Sequence, residues 1–133
     1  MKLSNFATDL NLAKNGVRIE VGEGFAITIC KAGESNENFQ KVLRQLRKPY
    51  QNMKKISPEL ESDIFNKAIA EAIVVSWEGL KDDNDAEIPY SKDKCYEIMK
   101  DKQYEEFHNL VLKLATEQAV FAKESVDATK SNA

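Results

Sequence analysis

Gly16-Val17-Arg18-Ile19-Glu20-Val21-Gly22-Glu23-Gly24-Phe25-Ala26-Ile27-Thr28-Ile29-Cys30 decides the fold class. Val17, Ile19 and Val21 alternate with Arg18 and Glu20; Phe25, Ile27 and Ile29 then alternate with Ala26, Thr28 and Cys30. Period-two alternation on both sides of a short glycine-containing turn predicts a β-hairpin over about 16–31. Gly22 and Gly24 supply the positive φ such turns require. Two strands alone are marginal in water, so this hairpin must lay its apolar face on other elements.

Those elements are helices. Ala32–Asn36 is a connector rich in turn and N-cap residues, after which Phe39, Val42, Leu43 and Leu46 mark one face of a helix over about 36–48, stopped by Pro49. Ser57-Pro58-Glu59 opens the next, with Ser as N-cap, Pro at the first helical position and Glu at the positive dipole end. The stripe Leu60, Ile64, Phe65, Ala68, Ile69, Ala72, Ile73 and Trp77 predicts a central buried helix over about 58–77, ended by Gly79 and with Trp77 in the core. Lys81–Asp85 reads as a solvated turn, and Ile88 is held extended by Pro89. Ser91 caps a helix over about 91–100 carrying Cys95, Ile98 and Met99, and a last helix over about 104–122 carries Phe107, Leu110, Val111, Leu114 and Phe121. Residues 1–15 are weakly patterned and expected on the surface, and 123–133 are expected to fray. The expectation is one domain of α+β class, mainly α: an N-terminal hairpin packed on about four helices.

Composition bounds the function. A chain of 133 residues, 42% hydrophobic and 31% charged, is of the common single-domain size and unlike collagen-like or disordered chains. Its net charge of −3 provides no global attraction to nucleic acid or lipid. The N-terminus lacks the apolar core of a signal peptide, and the longest uncharged apolar run, Ala72–Trp77, is far too short for a membrane span. A cytoplasmic location is therefore expected, with Cys30 and Cys95 as reduced core residues.

Few residues suggest catalysis. The single histidine, His108, sits beside Phe107 on an amphipathic helix, where packing is the ordinary role. No GxSxG, phosphate-cradling glycine loop or HExxH is present. An EF-hand started at Asp83 puts Ile88 where the sharp turn needs Gly and Lys94 where a bidentate Glu belongs, so the acidic run fails as a calcium loop. No enzyme activity, metal or cofactor is expected.

One segment has electrostatic content. Lys41, Arg44, Arg47, Lys48, Lys54 and Lys55 lie within fifteen residues that hold no acid, so this segment is +6 and the rest of the chain −9. Three readings stay open: the solvated face of a helix, a docking surface for an acidic protein (including another copy), and a nucleic-acid patch with Tyr50 stacking on bases.

Three stretches resemble the tail assembly chaperones of long-tailed bacteriophages. They are Asn15–Ile27, with its Gly, strand, Gly-x-Gly, strand order; Asn38-Phe39 followed by Leu46-Arg47-Lys48-Pro49-Tyr50; and Val74-Val75-Ser76-Trp77-Glu78-Gly79-Leu80 with the acidic turn and Ile88-Pro89-Tyr90-Ser91. The turn departs from the family pattern in carrying Asn84-Asp85 in place of Asp-Gly. The resemblance implies a non-enzymatic protein that binds and solubilises the tape measure protein, with the tail tube protein as a further partner; weak homo-oligomers are expected from the basic segment meeting the acidic remainder of another copy. It would act in the host cytoplasm, without nucleic acid or membrane, and be absent from the finished virion. Arg44, Arg47, Lys48 and Tyr50 are the expected partner-binding residues, with Trp77, Gly22, Gly24 and Gly79 structural. The alternative is a small basic-patched nucleic-acid-binding or regulatory phage protein.

Overall fold

A computed structural model describes residues 1–123; the expected frayed tail falls almost wholly outside them. The alternating stretch forms the hairpin of β1 (Val17–Gly22) and β2 (Phe25–Ile29). Its turn is left-handed throughout, with Gly22 at φ 142°, Glu23 at 54° and Gly24 at 81°, which two glycines make affordable. Ile19 lies opposite Ile27 and Val17 opposite Ile29.

The reading of 58–77 as one helix is corrected. Helix α3 runs from Pro58 to Ala68, capped as expected by the Ser57 hydroxyl accepting from Leu60 N at 3.2 Å. A π turn over Ile69–Ile73 follows, and Val74–Glu78 is a strand, β3, antiparallel to the free side of β2. The order β1-β2-β3 places Ile19, Ile27 and Trp77 in one inward row. The β-branched run Ile73-Val74-Val75 favours strand, and β2 supplies an unpaired edge to receive it. The class nevertheless stands as α+β, mainly α: six α-helices and one three-stranded antiparallel sheet among the described residues.

Val21 is not inward as the alternation predicts. The β1–β2 register shifts between Glu20 and Gly22, leaving Val21 unmatched and 41% exposed; the β2–β3 register shifts at Ile29, and Val75 is likewise unmatched and 45% exposed. Each bulge turns one valine out of the core.

The N-terminal segment is more than a surface strap. Asp9 caps a short helix, α1 (Leu10–Asn15), whose Ala13 is fully buried. Beyond β2 the chain threads between three elements: Cys30 N donates to Ile73 O, Lys31 N to Ala13 O and Ala32 N to Ala115 O, all at 2.8–2.9 Å. Buried Asn36 then caps α2 (Glu37–Arg47), accepting from Phe39 N through Oδ1 and donating to Lys31 O through Nδ2. Pro49 lies in a 3-10 turn, Lys48–Tyr50, that ends this helix.

Ser91 caps α4 (Lys92–Lys100) by accepting from Lys94 N at 2.9 Å. The last predicted helix is also corrected. α5 spans Glu105–Thr116; Glu117 is extended, and a four-residue turn of helix, α6 (Gln118–Phe121), seats Phe121 in the core. The Thr116 hydroxyl donates back to Leu112 O, one turn earlier, at 2.7 Å as α5 ends. Asp9 N donates to Phe121 O, Lys123 N to Ala7 O, and Thr8 bridges Ala122, so the N-terminal segment is tied to the end of α6.

The core joins the inner sheet face to α2–α5 around Ile27, Ile29, Ile69, Ile73, Cys95 and Val111. Burial pushes the Cys95 thiol up to about 12, and burial together with nearby negative charge does the same for the Tyr90 phenol, whose hydroxyl donates to Val74 O. Both groups are held neutral in the fold but ionise near 9 and 10 when exposed. Their stabilisation is therefore complete below pH 9 and is lost as pH rises toward 12. Denaturant melts at stepped alkaline pH should show falling stability across that window, and Cys95→Ala should flatten the fall.

Candidate functional site

Helix α2 sorts its side chains by periodicity. Phe39 and Leu43 enter the core, Val42 and Leu46 are half-buried beside it, and Lys41, Arg44 and Lys48 project from the opposite face. Of the residues singled out in sequence, Arg44, Arg47 and Lys48 are exposed and Tyr50 is half-buried against the core. Tyr50 thus packs its ring partly inward and is a poor free platform for a base. Arg47 Nη2 reaches Glu61 Oε2 of α3 at 3.7 Å. The segment that holds no acid in sequence acquires one in space, while Lys41, Arg44 and Lys48 have no ion-pair partner among the described residues. Lys54 and Lys55 are exposed in the loop before α3.

Beside this face runs a groove of about 540 Å³ between α2, the π turn and α4. Val42, Leu46, Ala70 and Tyr96 form its apolar lining, and Lys67, Glu71, Lys92 and Asp93 its rim. Gln45 also lines it, and Lys41 and Lys48 lie at i−4 and i+3 from Gln45, so two of the unpaired cations continue its α2 bank. The far side is braced. Lys92 Nζ meets Glu71 Oε1 at 3.0 Å, Lys67 Nζ meets Asp63 Oδ2 at 3.1 Å, and the Lys100 ammonium lies 4.7 Å from the Tyr96 ring centre. The Tyr96 hydroxyl donates to Asp63, which lowers that carboxyl's pKa and, together with burial, raises the phenol's. The result is a shallow apolar trough with one fixed, charge-compensated wall and one bank of uncommitted cations.

This groove was not visible in the sequence. Val42 and Leu46 read as ordinary core positions, and Tyr96 carried no motif. The available signal was the width of the α2 stripe, four apolar positions of which only two are buried.

The remaining predicted positions serve the fold. Trp77, 7% exposed, donates its indole N–H to Ile88 O at 2.8 Å and meets Tyr90 and Phe107 edge to face at 5.1 and 6.0 Å. Gly79, at φ 77°, passes so close to Gly24 that a Cβ there would sit 2.7 Å from the Gly24 carbonyl carbon and nearer still to its oxygen. In the acidic turn, the Asp82 carboxylate accepts from Asn84 N and Ala86 N, the main chains of Lys81 and Glu87 form a β-bridge, and the Glu87 carboxylate accepts from Gly79 N. Its acids close a turn on themselves. Among the described residues no three His, Cys, Asp or Glu side chains group as a metal site would need. His108 Nδ1 lies 3.2 Å from Met99 O, tying α5 to the end of α4. No helix among the described residues is long and apolar enough to cross a membrane.

No curated protein and no solved structure matches this chain. A family model described as YdaY prophage protein matches residues 34–132, about three quarters of the length, beginning just after the hairpin and taking in both sides of the groove.

Proposed function

We propose that this chain, which belongs to the YdaY prophage protein family, is a non-enzymatic assembly factor of a phage tail. In this reading it is a tail assembly chaperone that binds and solubilises the tape measure protein in the host cytoplasm and is left out of the finished virion. The observation that carries the reading is that the two longest stretches resembling those chaperones close on one another. The Gly-x-Gly turn lies under Gly79, Trp77 bonds to Ile88, and Tyr90 stacks edge-on against Trp77. Residues ordered alike in sequence thus make one substructure.

The groove beside α2 suits such a partner. A helical segment with an apolar stripe would set that stripe on Val42, Leu46 and Tyr96, and acids flanking the stripe would meet Lys41 and Lys48, with Arg44 beside Lys48 one step further round α2. Affinity per site is modest in this arrangement, as later release requires, and many copies along one long chain raise the total.

Co-expression with the tape measure protein of the same gene cluster tests it. The tape measure protein should move from the insoluble to the soluble fraction with this chain present. Arg44→Glu combined with Lys48→Glu should weaken the complex at least about tenfold while the melting temperature shifts by no more than about 2 °C, as for exposed charges. Equal solubility with and without the chain defeats the proposal. Solubility restored equally well by the variant keeps the function and removes the site.

The row Lys41, Arg44 and Lys48 also favours a second reading, phosphate binding. Binding to duplex or single-stranded DNA below about 1 µM at about 0.15 M salt would support that reading in place of the first.

A further inference from the structure

We propose that β1 is a pairing edge for a second copy of this chain, extending the three-stranded sheet into an antiparallel six-stranded one. Strand β1 is at the margin of the sheet, and among the described residues no hydrogen bond outside the β1–β2 ladder reaches the main chain of Val17–Gly22. Arg18, Glu20, Val21 and Gly22 are exposed, and no other element covers them. An uncovered strand of this length is a template for another strand.

The side chains say which strand. Antiparallel pairing centred on Ile19 sets Arg18 against Glu20 of the other copy, Ile19 against Ile19 and Val17 against Val21. Opposite charges then meet twice on the outer face, Ile19 meets Ile19 on the inner one, and each exposed Val21 lies beside Val17 of the other copy. The neighbouring registers are disfavoured: centring on Arg18 opposes two arginines, and centring on Glu20 opposes two glutamates. Parallel in-register pairing opposes both pairs of like charges.

On the outer face Arg18 already reaches across β2 to Glu78 while bonding Glu20 on its own strand at 3.2 Å. Pairing would extend this line of alternating charge into the second copy. Exposure of Val21 at the bulge is explained at the same time, because its partner there is Val17 of the other chain. The bulge ends the flat part of the edge, so about five residues pair. The interface is far smaller than that of a stable complex, and the dissociation constant is expected on the order of 100 µM.

Sedimentation velocity on the full chain from about 10 µM to about 1 mM should show a reversible monomer–dimer equilibrium. Glu20→Arg, which opposes arginines twice, should raise the dissociation constant at least about tenfold, and adding Arg18→Glu should restore most of it. Because Arg18→Glu also breaks the contact with Glu78, Val21→Lys provides an independent variant at an exposed position and should weaken the dimer without lowering the melting temperature. Hydrogen exchange should show protection of 17–21 growing with protein concentration. A chain monomeric throughout, or a dimer indifferent to Glu20→Arg and Val21→Lys, overturns the proposal. Protection of β1 only when another phage protein is added assigns the edge to a foreign strand and overturns it equally.

Discussion

Gly79→Ala should destabilise the fold by at least about 3 kcal/mol and lower the melting temperature by about 10 °C. Two costs combine. An L-residue at φ 77° is strained, and its Cβ must enter the backbone of the β1–β2 turn, where Gly24 O, Gly24 C and Phe25 Cα already occupy the space. Backbone on both sides leaves no flexible side chain to yield. The strand pairing from Ala26 to Glu78 would have to open, and with it the seat of Trp77. Gly33→Ala is the control: Gly33 has no positive φ, and a Cβ there meets only the Lys31 side chain at 3.5 Å. Its effect should stay within about 0.5 kcal/mol. Denaturant melts of both variants decide it, and similar stabilities for the two would show that the close approach is not needed.

Trp77→Ala should cost about 3–5 kcal/mol, the usual loss for truncating a buried Trp. The ring joins the sheet to the extended segment Ile88–Tyr90 and to α5 through Phe107. Trp77→Phe separates the contributions. It keeps an aromatic ring among Tyr90 and Phe107 but leaves the Ile88 carbonyl without its donor, for which about 1–3 kcal/mol is expected. A loss below about 1 kcal/mol for the alanine variant would mean that the segment Ile88–Tyr90 is not held by this residue.

Trp77 also shows where sequence reading ends. It lies four residues beyond Ile73, so it satisfies the helical stripe of α3 as well as the alternation of β3, and a short apolar run carries both periods equally. The choice is made by the open side of β2, more than forty positions earlier in the chain, which no local pattern displays. The hairpin was legible because its alternation and its turn glycines agree over the same fifteen residues. Val21 departs from it, and Val75 of β3 faces outward, for one reason: bulges are set by how three strands fit together. Helix α1 escaped notice because six residues give little periodicity, although Asp9 before it and Gly16 after it are a cap and a stop. The charge of the α2 face was legible from composition. Which cations are already committed was not, since Glu61 comes from another helix. The groove depends on Tyr96, placed against α2 only by the packing of α3 and α4.

The ladder joining Ala7–Asp9 to Phe121–Lys123 has a kinetic consequence. Its bonds close a loop of more than 110 residues, so on chain-entropy grounds they form after the hairpin and the helices have shortened the effective path between the two segments. The order of assembly thus runs from the β1–β2 turn outward to the two extremities. What closes last rests on everything inside it and contributes least to the transition state. Opening of this seam then sets a partial route out of the native state, in which α1 and α6 separate while the sheet and α2–α5 keep their packing.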